Sequence, residues 1–317
     1  MSLVAGVDLG GTKIQTVVLR NHRVAGNCRI ETPHNGADAV LEAIAKSVRT
    51  CLQEAGSSLA DLAATGVGIP GTVDESDGSV SNAPNLPGFE RPVQLASKLL
   101  QALGGVRVLV DNDVRAAVQG EWKRGAGRPY KDLLGVFVGT GVGGGLVLEG
   151  RLRAGRGAAG EIGHTIVKEG GRRCSCGKEG HLESYAGRAR MEATARKWQA
   201  EGRHTKLFQI MEKKGRDRVT SSVIADALQE KDQVATQLID EAVWALGIAL
   251  ANAANLLDLE AIIVGGGLGD RLGKPFVARI AEAATPLLHV PERPPRFICT
   301  ELGDLSGAVG AAVLAGG

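Results

Sequence analysis

Aromatic side chains are scarce in this sequence: Phe, Trp and Tyr make up 3% of 317 residues, while glycine occurs 45 times. A core built around large rings is excluded, and packing by small residues with many tight turns is expected. Net charge is nearly absent, +2 from 37 basic and 35 acidic residues, which removes the footprint of a nucleic-acid binder. The densest basic stretch, Lys206 to Arg218, is interrupted by Glu212, Asp217 and apolar positions and reads as a solvated helix face. Cysteine is sparse and odd in number: of Cys28, Cys51, Cys174, Cys176 and Cys299 only Cys174 and Cys176 are neighbours. That is no disulfide framework and fits a reducing cytoplasm. Met1-Ser2-Leu3 lacks the basic segment of a signal peptide, and the first apolar run breaks at Asp8. The most apolar helical stretch, around Ala242 to Leu257, carries Asn252 and Asn255 and ends at Asp258, residues costly in lipid, so no membrane span is expected. A nucleotide loop of the GxxxxGK[ST] form is missing.

What is present is an element order that occurs twice. Val4 to Asp8 is a short apolar strand, Gly10 to Lys13 a glycine turn, and Ile14 to Leu19 a second strand rich in β-branched residues. Helical periodicity runs from Asp38 to Glu54 and stops at Gly56; Ala64 to Ile69 is a buried strand; a helix over Val93 to Leu103 precedes the strand Val106 to Val110. Asp111-Asn112-Asp113 then opens a helix towards Arg124. In the second half, Leu133 to Val138, the turn Gly139-Thr140-Gly141 and the strand Gly145 to Leu148 repeat the opening hairpin. Ala261 to Val264 ends in Gly265-Gly266-Gly267, and Phe297 to Thr300 leads into a helix over Leu305 to Leu314. With a length beyond one ordinary core, two α/β lobes of like construction sharing a cleft are expected, the last helix packing back on the first lobe.

Two stretches match GxGxxG, Gly66 to Gly71 and Gly139 to Gly144. Neither opens a helix: the first contains Pro70 and the second continues into a strand, so a dinucleotide-binding turn is rejected. The hairpin turns instead offer backbone N–H groups, small side chains and the hydroxyls of Thr12 and Thr140 to phosphate oxygens, with Asp8 placed to hold Mg²⁺ directly or through water. Plain hairpins are the alternative. Asp113 follows a strand end and begins a helix, which suits either a catalytic carboxylate or a helix cap.

Four segments occur in order: Asp8-Leu9-Gly10-Gly11-Thr12-Lys13, Gly139-Thr140-Gly141-Val142-Gly143-Gly144-Gly145, Gly160-Glu161-Ile162-Gly163-His164, and Cys174-Ser175-Cys176-Gly177-Lys178-Glu179-Gly180-His181-Leu182-Glu183. Together they resemble the ROK family of sugar kinases and sugar-responsive repressors, over essentially the whole chain. The resemblance implies an α/β, two-lobed actin-like fold (ribonuclease H-like and duplicated) with ATP and sugar in the interlobe cleft. The expected division is a small lobe of residues 1–114 plus about 302–317, and a large lobe of 115–301 carrying a zinc-binding loop.

The family's Asn-Asp motif falls on Asn112-Asp113, which implies Asp113 as general base and Asn112 as a partner of sugar hydroxyls; Asp111 lies outside the pair and reads as structural. By the same resemblance Glu161, His164 and Glu183 contact ring hydroxyls, and Asn85, in Ala83-Pro84-Asn85-Leu86-Pro87-Gly88-Phe89, resembles a glucokinase-type loop. Asn85 as a simple turn residue and Glu183 as a first-turn helix residue are the alternatives. ATP is expected on Asp8, Gly10, Gly11, Thr12, Lys13, Thr140, Gly141, Gly143, Gly265, Gly266 and Gly267. His164, Cys174, Cys176 and His181 offer enough soft and borderline ligands for a tetrahedral structural Zn²⁺. His181 stands where the family usually has a third cysteine, so an unliganded histidine or a site that loses its metal readily is the competing reading.

The expected activity is ATP-dependent phosphorylation of a hexose, glucose to glucose 6-phosphate, the Cys-x-Cys spacing and the Asn85 loop leaning that way. An N-acetylhexosamine kinase or fructokinase is the alternative within the family. A sugar-sensing regulator is the alternative from another class; those carry an N-terminal DNA-binding extension, whereas here the phosphate turn begins at residue 8. Expected partners are hexose and ATP, with neither nucleic acid nor membrane, and a homodimer by resemblance.

Overall fold

The glycine turn after Asp8 closes a hairpin: β1 (Leu3–Leu9) runs antiparallel to β2 (Lys13–Arg20), and β2 to β3 (Arg23–Glu31). The computed structural model describes residues 3–83 and 86–316. β3 leaves little mark in the sequence, since six of its nine residues face solvent and only Gly26, Cys28 and Ile30, in its second half, turn inward. After α1 (Ala37–Glu54) come β4 (Leu62–Ile69), the short pair β5 (Thr72–Val73) and β6 (Val80–Ser81), α2 (Leu95–Ala102), β7 (Arg107–Asn112) and α3 (Asp113–Arg124). The chain continues through β8 (Leu133–Val138), β9 (Val142–Leu148), β10 (Arg151–Arg153), α4 (Glu183–Ala186), α5 (Arg188–Ala200), α6 (Leu207–Lys213), α7 (Ser221–Gln229) and α8 (Gln233–Leu257). It closes with β11 (Ala261–Gly265), α9 (Gly266–Ala284), β12 (Arg296–Cys299) and α10 (Ser306–Leu314).

Two compact units result: Met1–Pro129 with Ala154–Ala159 and Glu301–Gly317, and Tyr130–Arg153 with Gly160–Thr300. The first therefore extends past residue 114 to include α3, because α3 packs along α10 and over β4 and β7. The sheet orders are β3-β2-β1-β4-β7 and β10-β9-β8-β11-β12. In both, the central strand has an antiparallel hairpin on one side and parallel strands on the other. The duplication read from element order is a duplication of topology.

In the first unit β1 is covered on both faces, as parallel strands usually are. Leu3, Ala5, Val7 and Leu9 pack with Val40, Ile44, Val48 and Leu52 of α1, an apolar stripe at helical spacing. The opposite face, with Val4, packs on Ala308, Val309 and Ala312 of α10. Small residues permit that approach: a Cβ on Gly6 would stand 1.9 Å from the Ala308 carbonyl oxygen, and one on Gly66 1.8 Å from that of Ala311. α3 crosses α10 just as closely, with a Cβ on Gly310 placed 1.6 Å from the Ala116 carbonyl oxygen. Gly310→Ala is expected to destabilise the protein by roughly 1–3 kcal/mol, the ordinary effect of overpacking, read as a lowered urea midpoint with unchanged m-value. In the second unit α8 is, among the described residues, the one helix long and apolar enough to cross a membrane, yet 67% of its most apolar window is buried in that unit's core.

Candidate functional site

Strand register gathers the first group of candidate residues. Asp8 lies opposite Gly68, Gly68 opposite Asp111, and Ile69 opposite Asn112, so three parallel strands end together. Open α/β sheets bind ligands at such carboxyl ends. The turn beyond β1 is fixed locally: Gly10 N–H donates to the Lys13 carbonyl at 2.9 Å. Thr32, which no motif marks, clamps it by donating its hydroxyl to the Gly10 carbonyl at 2.7 Å and its N–H to that of Thr12 at 3.1 Å. The Lys13 ammonium sits 3.3 Å from an Asp304 carboxylate oxygen.

Asn112 caps α3, its Oδ1 accepting from the N–H groups of Val114 at 3.0 Å and Arg115 at 3.2 Å. The capping alternative for Asp113 therefore falls, because its neighbour does that work. Asp113 is the first helical residue, with Oδ1 accepting from Val114 N–H at 2.9 Å. Capping engages the Asn112 carbonyl oxygen, leaving its amide NH₂, which reaches the Gly71 carbonyl only at 3.5 Å, as the group turned to other partners. Asp111 is buried and accepts from Arg115 Nε at 2.6 Å, while Arg115 Nη2, also in contact with Asp111, donates to Glu75 at 2.8 Å, a structural ion-pair network. Asp8 is pushed up to about 7 by desolvation, with Asp113 and Asp304 adding to the rise and Lys13 opposing it. The first turn of α10 closes on this carboxylate: a Cβ on Gly307 would lie 2.6 Å from Asp8 Cγ.

The second group stands at the ends of β8 and β11. Gly139 N–H donates to the Gly141 carbonyl at 2.9 Å, and the start of α5 holds the turn through Arg188 N–H to Gly139 at 3.2 Å and Ala189 N–H to Thr140 at 3.0 Å. β9 begins at Val142, three residues earlier than its sequence suggests, so Gly143 lies in the ladder opposite Phe137 and not in the turn. Gly265 ends β11, also opposite Phe137. Gly266 opens α9 at φ 78°, its backbone pressed on Val138, where a Cβ would come within 2.7 Å of the amide nitrogen.

Glu183 joins this turn to the cysteine loop. It sits in the first turn of α4, as its alternative reading has it, yet its Oε2 accepts from Val142 N–H at 3.1 Å. Its Oε1 accepts from the Ser175 hydroxyl and, at 3.5 Å, from the Cys174 thiol. A Cβ on Gly141 would stand 2.3 Å from the Glu183 carboxylate, so the glycine is what admits it. Gly160–Gly163 lies flat on β9, a Cβ on Gly163 being placed 2.0 Å from the Val142 carbonyl oxygen. That packing leaves the side chains of Glu161 and His164 exposed beside one another, Oε2 to Nε2 at 4.0 Å.

His164, Cys174, Cys176 and His181 converge, their four donor atoms all within 4.8 Å of one another. His164 Nδ1 lies 3.4 Å from His181 Nδ1 and 3.8 Å from Cys174 Sγ, and Cys176 Sγ lies 3.3 Å from His181 Nδ1. A tetrahedral ion with metal–nitrogen bonds near 2.05 Å and metal–sulfur bonds near 2.3 Å has ligand–ligand edges of about 3.3–3.8 Å. The donor set thus fits a four-coordinate soft or borderline metal. Burial pushes the Cys174 thiol up, and burial with the neighbouring His164 holds His181 down, towards the neutral imidazole that ligates. Asn85 lies outside the described residues.

Sheets of identical order, each with a glycine-turned hairpin at its centre, define the duplicated actin-like α/β fold of sugar kinases. The ROK family model matches residues 4–317, and the chain belongs to the ROK family. Glucokinase of Halalkalibacterium halodurans is 34% identical over 319 residues, covering 98% of this chain and 93% of its own length. The structure of a ROK family glucokinase from Streptomyces griseus in complex with glucose and AMPPNP superimposes with a TM-score of 0.82 at 33% identity, covering 99% of each chain. A ROK hexokinase from Thermus thermophilus gives 0.80 at 32% identity, covering 99% of this chain and 97% of that one.

Proposed function

We propose that the protein is an ATP-dependent hexose kinase that converts glucose to glucose 6-phosphate. One observation carries the catalytic assignment: Asn112 caps α3, which places the Asp113 carboxylate at the carboxyl ends of the parallel strands beside Asp8. In this reading Asp113 takes the proton from the sugar hydroxyl as its oxygen bonds to the γ-phosphorus and ADP departs. Asn112, Glu161, His164 and Glu183 hydrogen-bond ring hydroxyls, Asn85 joins them, and the Asn112 amide NH₂ is its available donor. The turns at Gly10–Lys13 and Thr140–Gly141, with Gly143 and Gly265–Gly267, take the nucleotide. A carboxylate that desolvation, with two neighbouring acids adding to it, pushes up to about 7 is a hard-oxygen site where Mg²⁺ would relieve the repulsion, which supports Asp8 as its holder.

Similarity to glucokinases over the whole chain supports glucose as acceptor. The test is a coupled assay of glucose, N-acetylglucosamine, N-acetylmannosamine, mannose and fructose; glucose is expected to show the highest kcat/KM, and preference for any other overturns the assignment. Free thiols at all five cysteines support a reducing cytoplasmic setting, and a homodimer belongs to the same proposal by family resemblance.

Zinc is the metal we assign to His164, Cys174, Cys176 and His181, where it would cross-link the loop that carries Glu183 and the segment that carries Glu161. Metal analysis is expected to return about one zinc per chain. His181→Ala should lower that content by more than half and lower the melting temperature; a metal-free protein as stable as the metal-treated one would sink the assignment.

A further inference from the structure

Three helix N-termini meet beside the glycine turn of the second unit. α5 begins at Arg188, α7 at Ser221 and α9 at Gly266; a Cβ on Gly267 would stand 3.1 Å from Ser221 Oγ and 4.0 Å from a guanidinium nitrogen of Arg188. Arg188 is a misfit there by ordinary electrostatics, since a cation is favoured at a helix C-terminus, against the negative end of the dipole. One of its terminal nitrogens donates to the Thr140 hydroxyl at 3.3 Å, while its Nε is shut off from solvent with no acceptor among the described residues. Desolvation pulls its pKa down, Arg218 pulls the same way, and no carboxylate opposes them. A guanidinium nitrogen shut off from solvent is ordinarily paired. Excess positive charge, an unfilled donor and a hydroxyl partner on the turn call for an incoming anion.

We propose that Arg188 is a phosphate-binding residue for the donor nucleotide, acting with the Thr140 hydroxyl against the Gly139–Gly141 turn. The inference rests on the reading of Thr140, Gly141 and Gly265–Gly267 as nucleotide contacts and adds a residue that no motif marks. A planar guanidinium suits the task, since it presents paired N–H donors to two phosphate oxygens at once. Its position at the start of α5 also ties that contact to the turn, which the backbone N–H groups of Arg188 and Ala189 already hold. An Arg that merely braced the turn would affect nucleoside and nucleotide alike, whereas one that binds phosphate distinguishes them.

Calorimetric titration of the full chain and of Arg188→Ala and Arg188→Lys with ADP and with adenosine tests this. Arg188→Ala is expected to weaken ADP by roughly tenfold or more and adenosine by less than about twofold. Arg188→Lys, which keeps the charge and loses the fork, should fall between, and it carries the test if the alanine variant does not fold. The KM for sugar should be unchanged. Equal loss for ADP and adenosine, or no loss for either, overturns the proposal while leaving the donor site standing. Wild-type protein that binds no ADP overturns the donor-site reading and this inference with it.

Discussion

Replacing Asp113 by Asn is expected to lower kcat for glucose phosphorylation by roughly a hundredfold to ten-thousandfold, the span over which a positioned general base acts, with glucose binding retained. The substitution preserves shape, and an amide oxygen can keep the 2.9 Å bond from Val114 N–H. The start of α3 does not depend on residue 113, because Asn112 supplies the cap. A loss of turnover in a variant that melts like wild type therefore reports the missing base and not a lost helix. A second readout follows from electrostatics: Asp113 helps to push Asp8 up to about 7, so its neutralisation lowers the Asp8 pKa and lets that carboxylate ionise at lower pH. Turnover within a few-fold of wild type would refute the base assignment.

Repeated features were legible in the sequence because each is local. A strand, a glycine turn and a β-branched strand form a hairpin wherever they occur, and both sheets grow from such hairpins. The convergence of His164, Cys174, Cys176 and His181 was equally readable, since ligand chemistry and short spacing constrain one another. What escaped depends on contacts distant in sequence. β3 is held by pairing with β2, and its inward face of Gly26, Cys28 and Ile30 is short and preceded by an exposed half-strand. The choice between Asn112 and Asp113 as the cap turns on backbone angles that two adjacent capping residues leave open. Arg188 and Thr32 matter through partners 48 and 22 residues away, and nothing in their own neighbourhoods marks them. The sequence hides the start of β9 because a run of glycines looks like a turn until a neighbouring strand pairs with it.

Glu121→Ala is expected to destabilise the first unit by about 3–5 kcal/mol, the sum expected when several donors lose a shared acceptor at once. Its side chain is fully buried near the end of α3. Oε1 accepts from Leu302 N–H at 2.8 Å and the Ser306 hydroxyl at 2.7 Å, and Oε2 from the N–H groups of Ala126 and Glu301 at 3.0 Å each. One carboxylate thus satisfies the turn that follows α3 and the segment leading into α10. Alanine strands three backbone donors, each an unsatisfied group worth roughly 1–3 kcal/mol when buried, while the Ser306 hydroxyl keeps the Gly303 carbonyl as acceptor at 2.7 Å; water admitted to the vacated space offsets part of the sum. Glu121→Gln separates charge from shape: it keeps one acceptor oxygen but turns an NH₂ donor towards N–H donors, so it should lose more than half the alanine effect. Urea unfolding of the three proteins measures both differences. A glutamine variant as stable as wild type would mean that packing, including the close glycine contacts at Gly120 and Gly310, accounts for the residue and not the converging donors.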